Sequence, residues 1–288
     1  MSRLPITKTP KVYVGGAFIR SESARTFPLR DAAGEFFANI PQCTRKDLRN
    51  AVEAAAKAGP GWAKRTPYNR GQIIYRLGEM LEARQADMAD ALAVGGATKA
   101  AARKEIAATI DRLIYYAGWA DKYAQLLGSV NPVAAPYFNF TVTEPMGIVG
   151  VIAPDEAPLL ALVSLIAPVI TSGNSAVALA SSTQPYPAIV LGEMLATSDL
   201  PGGVVNLLTG FRQELVPTFA THAHLRALGG VAGADDRKTL KLGAAESVKR
   251  VKLHAAEEPV DWFSERAQGL YEIRDFVEFK TTWHPIGA

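Results

Sequence analysis

The sequence predicts an α/β protein in which N-terminal helices pack on a parallel, doubly wound sheet of about five strands. In the second half of its 288 residues, short apolar runs bounded by turn residues alternate with helical patterns, which is typical of β-α-β units. The first half is dominated by helical periodicity. The composition, 48% hydrophobic and 20% charged, supplies enough apolar side chains for one or two cores and excludes disordered and coiled-coil proteins.

Residues 12–41 alternate short strand-like pieces with glycine turns, which predicts a small antiparallel meander. Thr44 and Asp47 have the spacing of a capping box and predict the start of a helix. We expect this helix to end at Lys57, because the Gly59-Pro60-Gly61 cluster that follows disfavours helical backbone.

Two further helices are predicted in the first half. One starts at Thr66-Pro67, and the other runs through residues 98–127, where apolar residues recur at helical spacing. Residues 1–130 are therefore expected to form the meander and the helices that pack on the rest of the chain. Residues 131–145 follow as a strand segment, since apolar and polar residues alternate over residues 138–144.

Residues 146–256 carry the pattern of the parallel sheet, in which apolar runs predict strands and helical patterns predict their connections. Strands are expected at residues 148–152, 176–179, 204–208, 225–228 and 251–253, and helices at residues 159–170, 188–197, 212–220 and 237–243. Residues 257–288 are expected to hold a linker helix, over residues 260–267, and a final strand, over residues 276–283, that lies outside the parallel core.

Charge and composition exclude several classes of function. Lys plus Arg number 31 against 28 for Asp plus Glu, and no long run of like charges occurs, so neither a nucleic acid nor a membrane surface is indicated as a partner. The most apolar stretch, residues 158–170, is shorter than a membrane span. The lone Cys43 favours a reducing compartment, and residues 1–11 do not resemble a secretory signal, so we expect a cytoplasmic protein.

Two small clusters contain residue types that could carry chemistry. Asp155 and Glu156 follow the first parallel strand, at the end of the sheet where open sheets bind ligands. They form either an acid/base or metal pair, or a cap for the following helix, and the second role is the more common one. His222 and His224 have no cysteine or acidic cluster beside them, so we expect exposed histidines and no metal site.

Several motifs occur in a characteristic order along nearly the whole chain. They are YVGG at residues 13–16, EPMGIVG at 144–150, SGN at 172–174, LPGGVVN at 200–206 and VEFKTTW at 277–283. This series resembles the aldehyde dehydrogenases. The resemblance implies a Rossmann-like cofactor domain wrapped by N-terminal helices, together with a β-flap for oligomerisation made from residues 138–144 and the C-terminal strand.

The catalytic lobe of that family has no counterpart in this sequence. In the family, the lobe with the nucleophilic cysteine lies between the cofactor domain and the final strand, whereas here fewer than thirty residues separate Leu253 from Val277. The only thiol, Cys43, lies far upstream, and we expect it to be a small buried side chain rather than a nucleophile. Ser247 and Ser264 have no surrounding motif that would make either a replacement.

Positions that contact the cofactor in the family also differ. Asp155-Glu156 replace the family's Trp-Asn, residues 179–182 replace its Lys-Pro-Ser-Glu, and Gly229-Gly230-Val231 replace its Thr-Gly-Ser. The glutamate of the family's Leu-Glu-Leu-Gly-Gly has no match in residues 252–256. Because each change removes a polar contact, the resemblance implies no catalytic residue and weak or absent NAD(P) binding. A vestigial cofactor site is predicted at Ile152, Ala153, Pro154, Gly210, Gly230 and Val231.

The resemblance is greatest to the non-catalytic second half of the two-part family-16 aldehyde dehydrogenases. We therefore expect a pseudoenzyme with a structural or regulatory role. The expected partner is a second copy of the chain, bound through the strands at residues 138–144 and 276–283, or a complete aldehyde dehydrogenase. Two alternatives stay open: an NAD(P)-dependent aldehyde oxidoreductase with an atypical site, and a sensor that binds a nucleotide without chemistry.

Overall fold

The computed structural model describes residues 8–287. Its first part contains the strands β1 (Val12–Val14), β2 (Ala17–Ile19), β3 (Thr26–Arg30) and β4 (Phe36–Pro41), and the helices α1 (Arg45–Ala63), α2 (Pro67–Ala83), α3 (Gln85–Val94), α4 (Lys99–Trp119) and α5 (Tyr123–Leu127). The four strands do not form the expected single meander. β1 and β2 join the main sheet, whereas β3 and β4 form a separate hairpin.

The second part begins with the strands β5 (Ser129–Asn131), β6 (Tyr137–Pro145) and β7 (Ile148–Ile152). It continues with α6 (Leu160–Thr171), β8 (Ser175–Leu179), α7 (Tyr186–Leu195), β9 (Val205–Leu208), α8 (Arg212–Thr221), β10 (Leu225–Ala232), α9 (Ala234–Ala245) and β11 (Arg250–Ala255). A 3₁₀ turn (Glu265–Ala267), α10 (Leu270–Arg274) and β12 (Val277–Pro285) end it. No helix within residues 8–287 is long and apolar enough to cross a membrane.

The central sheet has the strand order β11-β10-β7-β8-β9-β1-β2. The first five of these strands are parallel, as predicted. β1 adds to β9 in antiparallel orientation, with Tyr13 opposite Leu207, and β2 pairs with β1. The sheet therefore has seven strands instead of about five, because the N-terminal hairpin extends its edge.

Helices cover both faces of the parallel strands, which explains why these strands read as continuous apolar runs. In β7, Val149 and Val151 face the cluster formed with α2, α4, α6 and α7. Ile148 and Ile152 face the opposite cluster, formed with α1, α8 and α9. The Rossmann-like α/β architecture predicted from the sequence is confirmed.

Helix α1 has the predicted start but not the predicted end. Thr44 and Asp47 form the capping box, in which the Thr44 N–H donates to the Asp47 carboxylate at 2.7 Å. The helix continues through the Gly59-Pro60-Gly61 cluster to Ala63. Tertiary contacts override the weak local propensity, because Trp62 is fully buried and its indole N–H donates to the Ile170 carbonyl at 2.9 Å.

Two other helix predictions need correction. The helix predicted over residues 98–127 is divided into α4 and α5, and α3 had no prediction. The linker helix predicted over residues 260–267 is absent from the structure of that segment, which contains only the 3₁₀ turn at Glu265–Ala267. Its backbone instead supplies acceptors to a buried arginine, described below.

The final strand does not stand alone, because β12 pairs antiparallel with β6 from Val277 to Pro285. β5 pairs with the other side of β6. We call this three-stranded sheet, with the order β12-β6-β5, the flap. β6 is thus the central strand of the flap: β12 pairs with one of its edges over the full length, whereas β5 pairs with the other edge only at residues 139–141.

Candidate ligand crevice at the switch point of the sheet

The strand order reverses between β7 and β10, because β8 and β9 follow on one side of β7 whereas β10 and β11 lie on the other. Open α/β sheets bind ligands outside the carboxyl ends of the strands at such a switch point. Ile152 of β7 pairs directly with Gly230 of β10 there. Ala153 and Pro154 follow Ile152, and Val231 follows Gly230.

Five of the six residues predicted for a vestigial cofactor site therefore lie together, and the sixth does not. Gly210 follows β9, which is separated from β7 by β8. All six residues are buried. β7 and β10 are neighbours in the sheet, with Leu225 paired to Ile148 although 77 positions separate them, because both strands flank the point where the strand order reverses.

 

Both glycines of this set are required by the chain's own packing. Gly230 has a φ of +124°, and a Cβ atom there would lie 2.0 Å from the Ile152 carbonyl oxygen. Gly210 has a φ of +148°, and its Cβ would lie 3.1 Å from the Cys43 carbonyl oxygen. These positions are filled by neighbouring backbone, so neither glycine needs a bound phosphate to explain it.

A tryptophan from the segment that follows β11 covers the switch point. We call residues 256–276, which join β11 to β12, the linker. Trp262 of the linker is 5% exposed and packs against Leu160, Ala161 and Val231. The ring of His254 lies against it with centroids 6.1 Å apart. The apolar part of the crevice is therefore occupied by the chain itself.

Arg112 of α4 holds the linker in this position. Its guanidinium donates to the Trp262 carbonyl at 2.9 Å and to the Ala267 carbonyl at 2.8 Å, and it also bonds the Ser164 hydroxyl. The Tyr116 hydroxyl, one turn along α4, accepts the Gly269 N–H at 3.3 Å. Burial lowers the pKa of Arg112, whose side chain is almost fully enclosed.

Carboxylates occupy the helix N-termini on both sides of the switch point. Glu105 accepts the N–H groups of Leu159 and Leu160, where α6 begins, at 2.9 and 3.1 Å. Glu257 accepts the N–H of Ala234, the first residue of α9, at 2.9 Å and pairs with Arg237. Burial raises the pKa of Glu105, which the two backbone bonds partly oppose, whereas the Arg237 bond lowers the pKa of Glu257.

These contacts decide whether the crevice fits the NAD(P) that the family resemblance implies. A dinucleotide places its pyrophosphate against free N–H groups at a helix N-terminus. Here Glu105 already accepts two N–H groups where α6 begins, Glu257 accepts the first N–H of α9, and Trp262 covers the space between them. The residues present therefore do not fit a dinucleotide.

Asp155 has neither of the roles weighed from the sequence. Its carboxylate accepts the Ser182 N–H at 2.7 Å, the Thr183 N–H at 3.2 Å and the Ser181 hydroxyl at 2.7 Å, so it orders the loop between β8 and α7. The helix that follows Asp155 is capped by Glu105 instead. Glu156 is exposed, and within residues 8–287 no group of three or more His, Cys, Asp and Glu side chains could hold a metal ion.

The structure also shows the surroundings of the other residues considered from the sequence, which are Cys43, Ser264, His222 and His224. Cys43 is fully buried, and burial raises its pKa to about 12, so the thiol is neutral and enclosed. Ser264 accepts the Arg266 N–H at the start of the 3₁₀ turn. His222 and His224 follow α8, where His224 is exposed as predicted but His222 is half-buried, and burial lowers the pKa of His222.

Comparisons with known proteins agree with this architecture. The family model described as "Aldehyde dehydrogenase family" matches residues 18–256. The chain belongs to the aldehyde dehydrogenase family. The match ends directly after β11, so the linker with Trp262 lies outside the part of the chain that the family model matches.

Individual relatives are about twice as long as this chain. It is 32% identical over 253 residues to Retinal dehydrogenase 2 from Gallus gallus, covering 85% of this chain and 48% of that protein. It is 30% identical over 250 residues to the mitochondrial Benzaldehyde dehydrogenase of Antirrhinum majus, covering 84% and 46%. The NAD+ complex structure of aldehyde dehydrogenase from Bacillus cereus has a TM-score of 0.82 at 26% identity, covering 86% of this chain and 51% of that one.

Proposed function

We propose that this chain is a non-catalytic member of the aldehyde dehydrogenase family whose role is assembly, through the flap, into a symmetric homodimer. The proposal rests chiefly on one observation: the flap presents an exposed apolar row beside a long unpaired strand edge. The enclosed Cys43 and the covered switch point support the absence of dehydrogenase chemistry, since the Cys43 thiol has no access to solvent and Trp262 occupies the crevice at the switch point.

The apolar row lies on one face of the flap. Phe138, Phe140 and Val142 alternate along β6 and share this face, and their rings or side chains are half-buried or exposed. Phe138 and Phe140 have ring centroids 5.3 Å apart. Val130 of β5, directly opposite Phe140, extends the row and is 68% exposed. A contiguous exposed apolar row of this kind marks an interaction surface.

The unpaired edge belongs to β12. One side of this strand pairs with β6 along its full length, and no strand of residues 8–287 pairs with its other side. Such an edge offers a row of backbone donors and acceptors to a second strand. Two copies of β12 can pair with each other about a two-fold axis, which gives a closed dimer and continues the flap into a six-stranded sheet.

Light scattering or sedimentation velocity on the intact chain tests the assembly. We expect a dimer that Phe138→Lys weakens, because the charge disrupts the apolar row. Tyr75→Lys is the matched control, since Tyr75 is a similarly exposed aromatic on α2, outside the flap. A chain that is monomeric at high micromolar concentration, and that forms no complex with a complete aldehyde dehydrogenase, would show the assembly proposal to be wrong.

Turnover is tested separately with aldehydes and either NAD+ or NADP+. We expect none above background. Turnover that survives Cys43→Ala would favour the atypical oxidoreductase over a pseudoenzyme. A nucleotide-dependent rise in melting temperature without turnover would favour the sensor, because a ligand that binds only the native state stabilises it.

A further inference from the structure

A second cavity lies at the opposite end of the sheet from the switch point. Its volume is about 650 Å³, and it is lined by Met146, Arg226, Val248, Lys249, Arg250 and Glu278. Met146 lies two residues before β7, Arg226 is near the start of β10, and Lys249 immediately precedes β11. The cavity is therefore at the amino ends of these strands, beside the base of the flap.

The largely enclosed Lys249, which lines this cavity, is the first observation that points to a ligand. Lys249 is only 8% exposed, and its Nζ bonds the Ser247 hydroxyl but no carboxylate among residues 8–287. Burial lowers the pKa of Lys249, which the nearby Glu246 partly opposes. Because no carboxylate contacts the Lys249 ammonium directly, an anion in the cavity would stabilise its positive charge.

Arg226 is the second observation. The register of β10 against β7 shifts between Leu225 and Ala227, so Arg226 lies in a bulge of the strand. Bulges change the direction of a side chain and are frequent beside functional sites. Within residues 8–287 the Arg226 guanidinium forms no hydrogen bond or ion pair, and its side chain lines the cavity.

The charge of the lining residues and the paired N–H donors of their guanidinium groups indicate which class of anion fits the cavity. Arg226, Lys249 and Arg250 contribute three positive charges against one negative charge from Glu278, which itself pairs with Arg250 at 3.2 Å. A phosphate monoester carries about −1.5 to −2 charge at neutral pH and accepts hydrogen bonds on three oxygens. Guanidinium groups match such oxygens with paired N–H donors.

We propose that this cavity binds a phosphate group, with Arg226 and Lys249 as its principal ligands and Arg250 as a fixed neighbour. Arg250 already donates to the Val277 carbonyl at 2.6 Å, so it holds the start of β12 while the other two cations meet the ligand. The cavity is larger than a phosphate ion, and Met146 and Val248 add apolar lining. An organic phosphate with a small apolar group therefore fits better than free phosphate.

Calorimetry with the full chain tests this site, using inorganic phosphate and phenyl phosphate in buffers of equal ionic strength. We expect saturable binding of phenyl phosphate and weaker binding of inorganic phosphate. Arg226→Met and Lys249→Met should each weaken binding by about tenfold to a hundredfold, because each removes a charge-assisted hydrogen bond. Equal affinity for the two probes would assign the site to free phosphate and still support it.

Matched controls are Arg103→Met and Lys238→Met, which remove exposed cations outside the cavity. Both should bind phenyl phosphate as the unchanged chain does. The proposal is overturned if neither probe binds, if binding fails to saturate, or if the control variants lose as much affinity as Arg226→Met. It is also overturned if Lys249→Met, shown to be folded by circular dichroism, binds as tightly as the unchanged chain.

Discussion

Arg112 and Trp262 are joined by a buried hydrogen bond, in which the guanidinium donates to the Trp262 carbonyl at 2.9 Å across 150 positions of sequence. This contact ties α4 to the linker and fixes the indole against Val231 at the switch point. The linker is therefore an ordered part of the fold. Because it connects β11 to β12, the segment that covers the crevice is part of the folded chain itself.

Replacing Arg112 tests how strongly the linker depends on it. Arg112→Met should lower the free energy of unfolding by roughly 2–4 kcal/mol, because the Trp262 and Ala267 carbonyls and the Ser164 hydroxyl lose their shared donor. Urea denaturation measures the change. Arg103→Met, an exposed position on the same helix, should change stability by no more than about 0.5 kcal/mol, and an equal loss in both variants would contradict this role.

Removing the Trp262 side chain should cost more. Trp262→Ala is expected to destabilise the chain by about 3–5 kcal/mol, the usual range for a buried aromatic that leaves a cavity. Tyr68→Ala serves as a control because Tyr68 is 66% exposed. A loss below about 1 kcal/mol for Trp262→Ala would mean that the indole is not packed as the structure shows.

Cofactor binding should stay weak even in Trp262→Ala. Glu105 and Glu257 still accept the N–H groups at the starts of α6 and α9, so the pyrophosphate position remains negatively charged. Calorimetry with NAD+ and NADP+ checks this for the intact chain and for the variant. A micromolar dissociation constant in either protein would show that the crevice accepts a dinucleotide despite these contacts.

Local patterns predicted the parallel core well, because strands buried on both faces must be apolar throughout, as in Ile148–Ile152. The same reasoning failed where residues distant in the sequence determine how a helix begins or ends. Trp62 carries α1 through the Gly-Pro-Gly cluster by its bond to Ile170. The cap of α6 comes from Glu105, 54 positions before Leu159. No local sequence signal indicates such partners, so Asp155 was the natural but wrong candidate.

Cys43 should be unreactive in the folded chain. Burial raises the pKa of its thiol to about 12, so the reactive thiolate is scarce at pH 8 and also has no access to solvent. Labelling with a chromogenic disulfide should be very slow in buffer and complete within minutes in guanidinium chloride. Rapid labelling of the native chain would contradict the enclosed position and reopen the question of a catalytic thiol.

The stability of the fold should depend on pH through His254, whose ring lies on β11 against Trp262. Burial lowers the pKa of His254, which Glu272 partly opposes. Because the folded pKa lies below the unfolded value of about 6.5, the unfolded chain takes up the proton first as pH falls. Stability should therefore decrease from about pH 7.5 through 6.5, and this decrease should stop below the folded pKa.

His254→Gln isolates that contribution, since the carboxylates that titrate at lower pH are the same in both proteins. The free energy of unfolding of the variant should fall less between pH 7.5 and 5 than that of the unchanged chain, as measured by urea denaturation at each pH. Burial also lowers the pKa of His222, so the variant keeps part of the dependence. A difference between the two proteins that is constant over this range would mean that His254 is not buried against the linker, because a fully hydrated imidazole has no reason to titrate differently in the folded and unfolded chain.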